Sequence, residues 1–122
     1  MLVKYTEALP QLFVTTGKTW LTNFELTEEV FGPSGLVVKA VDFSEMIEIA
    51  TKLTGQLTCT LHMDDSDQNE AKKLLPILER KAGRILANGF STGVEVCESM
   101  VHGGPFPAST NFGATSVGTM SI

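Results

Sequence analysis

Leu36-Val37-Val38-Lys39-Ala40-Val41, Leu57-Thr58-Cys59-Thr60-Leu61 and Arg84-Ile85-Leu86-Ala87-Asn88 are the three runs within residues 36–88 that decide the fold. Each is short, rich in β-branched or aliphatic side chains, and bounded by Gly, Asp or Asn, which is how a strand reads. The first and third lack polar alternation. That predicts burial on both faces, as in a parallel sheet.

Two helical patterns separate the runs. In the first, Met46, Ile47, Ala50 and Leu53 recur at helical spacing, Asp42 and Glu45 stand three apart as a reciprocal cap, and Gly55 suits a left-handed stop. In the second, Ala71, Leu74, Leu75, Leu78 and Ala82 form one stripe. Asp65, Ser66 and Asp67 compete to cap it, Arg80 and Lys81 complement the dipole of its last turn, and Gly83 ends it. Pro76 interrupts this pattern, because a mid-helix proline removes a hydrogen bond, so a kink or a later start is expected. The order is strand, helix, strand, helix, strand: an α/β fold made of two βαβ units, which should be right-handed.

A parallel sheet needs cover on both faces, and two helices supply little. The missing cover must come from another chain or from the rest of a larger domain. Residues 1–35 carry no long period, so a short helix or strand is the most they suggest. Residues 89–122 are rich in Gly, Ser, Thr and Pro, and a loop that long is usually functional or disordered. No internal repeat is present.

The totals narrow the function classes. The 122 residues suit one domain, with 43% hydrophobic and 19% charged residues. A net charge of −5 without a basic stripe argues against nucleic acid and against anionic membrane surfaces. No apolar run is long enough to span a bilayer, and Glu7 stands where a secretory signal would be apolar. Cys59 and Cys97 match neither a disulfide framework nor a zinc pattern, so a reduced, cytoplasmic setting without a metal is expected.

Three further stretches carry a resemblance. They are Glu28-Glu29-Val30-Phe31-Gly32-Pro33, then Gly83-Arg84-Ile85-Leu86-Ala87-Asn88-Gly89, then Met100-Val101-His102-Gly103-Gly104-Pro105-Phe106-Pro107-Ala108-Ser109 followed by Thr115-Ser116-Val117-Gly118-Thr119. In this order and spacing, residues 10–122 resemble the C-terminal part of the aldehyde dehydrogenase superfamily. The last stretch is most similar to the branch acting on alpha-ketoglutarate semialdehyde and on fatty aldehydes. The resemblance implies residues 1–122 as the C-terminal part of a catalytic domain, with a βαβαβ core over 36–88 and an active-site-proximal loop over 89–122.

The resemblance also implies cofactor contacts, with NADP or NAD, at Glu29 and Phe31. A carboxylate can accept from ribose hydroxyls, and Phe31 would wall the nicotinamide. On the residues alone, Glu29 reads as a solvated acid and Phe31 as a core aromatic before a Gly-Pro turn. Phe90, Cys97 and His102 would approach the tunnel of a small-molecule aldehyde; the plainer reading has Asn88 fixing a turn and Phe90 packing.

The family reaction needs a cysteine thiolate, oxyanion donors and a glutamate that activates water. The resemblance places that cysteine before the Glu-Glu-Val-Phe-Gly-Pro motif, where this sequence has none. Cys59 falls in a buried strand, and Glu95 and Glu98 beside Cys97 oppose thiolate formation. No catalytic residue is therefore assigned, and the Gly-rich dinucleotide turn is also missing. The expectation is a piece of an aldehyde dehydrogenase, inactive until an N-terminal portion or another subunit completes it. The alternatives are a non-catalytic α/β nucleotide-binding or interaction module, and a small thiol enzyme using Cys97 and His102.

Overall fold

The structure, a computed structural model, describes residues 9–91, 103–108 and 110–111. The chain divides into two compact units, Met1–Ile49 and Ala50–Ile122. Four strands form two two-stranded parallel sheets.

In the first unit, β1 (Gln11–Thr16) leads straight into the short helix α1 (Gly17–Thr22). A 3₁₀ turn (Phe24–Thr27) follows, and then β2 (Ser34–Lys39). β1 pairs in parallel with β2, with Phe13 opposite Leu36 and Val14 opposite Val37. The strand at β1 lies in a region the sequence left almost unassigned; its apolar residues are too few to show a period. α1 starts at Thr16, whose hydroxyl accepts from the Thr19 N–H at 3.2 Å. Trp20 is buried, and its indole N–H donates to the Leu26 carbonyl at 3.1 Å, which ties α1 to the 3₁₀ turn.

β2 stops at Lys39, short of the predicted Val41, for a local reason. Glu45 Oε2 accepts the Val41 N–H at 2.6 Å, while Asp42 Oδ1 accepts the Glu45 N–H at 2.8 Å. The expected cap is thus present, and it takes a donor the strand would have needed. α2 spans Phe43–Lys52, so the boundary between the units falls within it. Ala50 is buried as expected, but Met46 is exposed. Gly55 is not among the positive-φ residues, so it is no left-handed stop.

In the second unit, β3 (Gln56–Leu61) pairs in parallel with β4 (Ala82–Ala87), with Thr58 opposite Arg84. Backbone bonds extend the pairing at both ends, Gln56 N–H to Lys81 O at 2.7 Å and Asn88 N–H to Leu61 O at 2.9 Å. α3 (Gln68–Leu78) crosses between them after a 3₁₀ turn (Asp65–Asp67). α3 itself has Asp67, one of the predicted candidates, at its N-cap without a side-chain bond, and the 3₁₀ turn before it is capped by Asp64. Its Oδ1 accepts from the Ser66 N–H at 2.8 Å, and its own N–H donates to Asp67 Oδ2 at 3.1 Å. Pro76 lies inside α3 without delaying its start, and the helix ends two residues later at Leu78. Arg80 and Lys81 therefore lie in the turn beyond the helix, and Gly83 lies within β4 rather than closing the helix.

Leu74, Leu78 and Ala82 make the core of this unit together with Ala50. The βαβαβ order of elements is present, with its strands distributed over two sheets: β2 pairs back to β1, and β3 pairs with β4.

Candidate functional site

Each unit carries a candidate surface of its own. In the first unit, residues 28–33 leave the 3₁₀ turn and enter β2. Gln11 N–H donates to Pro33 O at 2.9 Å and Ser34 N–H to Gly32 O at 2.8 Å, which fastens the end of the motif to the sheet. Gly32 has φ 151°, a conformation open to glycine and strained for other residues. The chain thereby turns so that Phe31 stands 93% exposed. It is not a core aromatic.

Phe31 and Glu29 line one open groove of about 800 Å³, together with Phe13, Leu26 and Leu36. Glu25 and Glu28 also reach it, and its lining contains no lysine or arginine. Such a surface offers carboxylate acceptors to hydroxyl groups and an aromatic face to a flat ring. It offers no side-chain cation to a phosphate. These residues fit the sugar and ring end of a dinucleotide.

In the second unit, the exits of β3 and β4 lie side by side, and the carboxyl ends of parallel strands are where α/β sheets receive ligands. Asn88 leaves β4 in the left-handed conformation, φ 53°. Its side-chain Oδ1 accepts the Met63 N–H at 2.8 Å, which links the two exits. Beyond it the ring of Phe90 meets that of His62, centroids 5.3 Å apart and tilted by 50°. Phe90 is 81% exposed, so it does not pack into the core. His62 went unnoticed in the sequence, since a lone histidine after a strand carries no pattern; only the pairing of β3 with β4 brings it to Phe90.

Cys97 and His102 lie outside the described residues. Gly103, Gly104 and Pro105, which follow His102, lie at the opposite end of the same sheet. A Cβ on Gly83 would overlap the Gly103 carbonyl oxygen, and one on Gly55 would come within 3.1 Å of Pro105. Six-residue strands separate this end from Phe90 by roughly 15–20 Å. Phe106 and Ala108 continue into a cavity of about 570 Å³ lined also by Leu75, Glu79 and Ile85.

Cys59 sits in β3, and burial raises its thiol pKa above the ordinary value. A thiol held protonated is a poor nucleophile. Among the described residues no group of three His, Cys, Asp or Glu side chains is placed to hold a metal ion, and no helix is long and apolar enough to cross a membrane.

Taken with the parallel sheets, the three ordered motifs find a counterpart in known proteins. The chain belongs to the aldehyde dehydrogenase superfamily. It is 50% identical over 111 residues to alpha-ketoglutaric semialdehyde dehydrogenase 2 of Azospirillum brasilense, a match covering 91% of this chain and 21% of that enzyme. It is likewise 50% identical over 117 residues to alpha-ketoglutaric semialdehyde dehydrogenase of Acinetobacter baylyi, covering 95% of this chain and 22% of the enzyme. The chain thus spans about a fifth of the length of these curated relatives. No protein-family profile matches it.

Proposed function

We propose that the chain is the C-terminal part of an NAD(P)-dependent aldehyde dehydrogenase that oxidises alpha-ketoglutaric semialdehyde or a close relative to the acid. The observation that carries this reading is half identity to two semialdehyde dehydrogenases over more than nine-tenths of the chain. Glu29 accepts hydrogen bonds from cofactor ribose hydroxyls, and Phe31 lies against the nicotinamide, which takes up hydride when bound. Phe90 belongs to the aldehyde side; Cys97 and His102 follow it in the sequence, outside the described residues. The nucleophilic cysteine comes from sequence outside this chain, so the chain alone is inactive.

The exposed sheet of the first unit supports incompleteness. Leu12 and Val14 point to one face of β1 and Phe13 to the other, and all three are exposed. A parallel sheet bare on both faces is stable when something covers it. The covering element here is the remainder of a dehydrogenase polypeptide or a second subunit.

The test is a graft: this chain replaces the matching segment of the Azospirillum enzyme, and NAD(P)H formation is followed with alpha-ketoglutaric semialdehyde. Activity near that of the parent is expected, and a folded graft without turnover refutes the reading. Turnover by the isolated chain that disappears in Cys97→Ser would refute its inactivity and favour a thiol enzyme.

The groove at Glu29 and Phe31 motivates a second reading, a module that binds nucleotide without catalysis. Trp20 bonds to Leu26 on the groove wall, so its fluorescence reports occupancy. Fluorescence that saturating NADP leaves unchanged in the folded chain removes that reading.

A further inference from the structure

We infer that Asn88 is a positioning residue, which clamps the exits of β3 and β4 so that His62 and Phe90 present one paired aromatic wall to the aldehyde. Three observations meet at this residue. Its φ of 53° turns the chain sharply out of β4, a conformation asparagine tolerates better than most residues. Its N–H continues the ladder to Leu61 O at 2.9 Å. Its Oδ1 takes the Met63 N–H at 2.8 Å, so one residue brackets His62 on both sides along the neighbouring strand exit.

The consequence reaches two residues outward. His62 lies between Leu61 and Met63, the two positions Asn88 holds, and Phe90 lies two residues after Asn88. Their rings meet at 5.3 Å although both side chains are exposed and little else confines them. Without the clamp, two solvated rings would lose side-chain entropy for a contact of modest strength. The clamp supplies the preorganisation that the ring contact lacks. A wall so arranged is apolar at Phe90 and carries a hydrogen-bonding imidazole at His62, which suits a substrate with a short carbon chain and polar ends.

The role as a substrate wall rests on the reading of Phe90 as part of the aldehyde side, whereas the clamp itself does not. The two are therefore tested apart. In the full chain, NMR follows the His62 ring protons and exchange of the Met63 amide, with Phe90→Leu marking the His62 shift when no ring lies beside it. Asn88→Asp keeps an acceptor and should keep both signals. Asn88→Gly keeps the left-handed turn without strain and loses only the acceptor. It should bring the His62 shift to the Phe90→Leu value and speed Met63 exchange roughly tenfold, while the Gln56–Ala82 end of the sheet keeps its exchange rates. Unchanged His62 and Met63 signals in Asn88→Gly overturn the clamp, and equal loss in Asn88→Asp does so too.

In the active graft, Asn88→Gly should raise KM for the semialdehyde roughly fivefold with kcat little changed, about the effect of loosening one side of a binding surface. An unaltered KM overturns the substrate-wall assignment. A graft inactive even with Asn88 in place refutes the proposed function and, with it, that assignment, and leaves the clamp to be judged on NMR alone.

Discussion

Gly32, Cys59 and Asp64 each do something their residue type alone would not reveal. Gly32 adopts φ 151° just after Phe31, so Gly32→Ala should cost about 1–3 kcal/mol and turn Phe31 away from the groove. Urea unfolding followed at Trp20 would measure the first effect. Cys59 is raised by burial, so its thiol titrates above free cysteine and alkylates slowly at neutral pH. A Cys97→Ser background isolates it, and a titration midpoint at or below the free value would contradict the structure. Asp64 is lowered, first by the Ser66 hydroxyl and then by backbone N–H groups. A carboxyl depressed in the folded state adds stability above its unfolded pKa, and that stability is lost as pH falls through the folded value. Unfolding measured between pH 6 and pH 2 should show a loss that is slightly smaller in Asp64→Asn.

At the scale of elements, α3 shows how far a pattern reaches. Its stripe was legible because Leu74 and Leu78 are one turn apart and buried. Leu74→Ala should cost about 2–5 kcal/mol, and Leu75→Ala, on a more exposed side chain, clearly less. Chemical denaturation of the two variants ranks them, and the reverse order would mean the helix faces another way. The extent of the elements was less legible. The apolar run predicts a strand past Lys39 because Val41 is β-branched, yet the Val41 N–H belongs to the cap of α2. Gly83 read as a helix stop because glycine often ends helices; it is glycine because the Gly103 carbonyl lies where its side chain would be. That reason is tertiary, and no local spacing encodes it. Gly83→Ala should dislodge residues 103–105, seen by NMR as shifted and faster-exchanging amide resonances of Gly103 and Gly104. At the candidate sites, Glu29 and Phe31 were legible through the motif, and His62 was not, because its partner lies across a strand pairing.

At the scale of the molecule, the described residues leave much apolar surface exposed. Leu12, Phe13 and Val14 are exposed in succession, although the chain spans a fifth of its relatives and carries five excess negative charges. Contiguous apolar exposure marks a surface meant for contact. The isolated chain should bind a hydrophobic dye and self-associate as concentration rises, and Phe13→Lys should reduce both, as read by dye fluorescence and light scattering. Dye binding unaffected by that change would place the sticky surface elsewhere. The pairing of β1 with β2 and of β3 with β4 also bears on how the chain reaches this state. Gln11 meets Ser34 and Gln56 meets Ala82, so each sheet closes over roughly two dozen residues. Loop closure over so short a span is quick and cheap in entropy. On a ribosome, β1 and β2 can find each other before β4 has been synthesised, and in the proposed full-length enzyme their bare faces emerge after the N-terminal portion that would cover them.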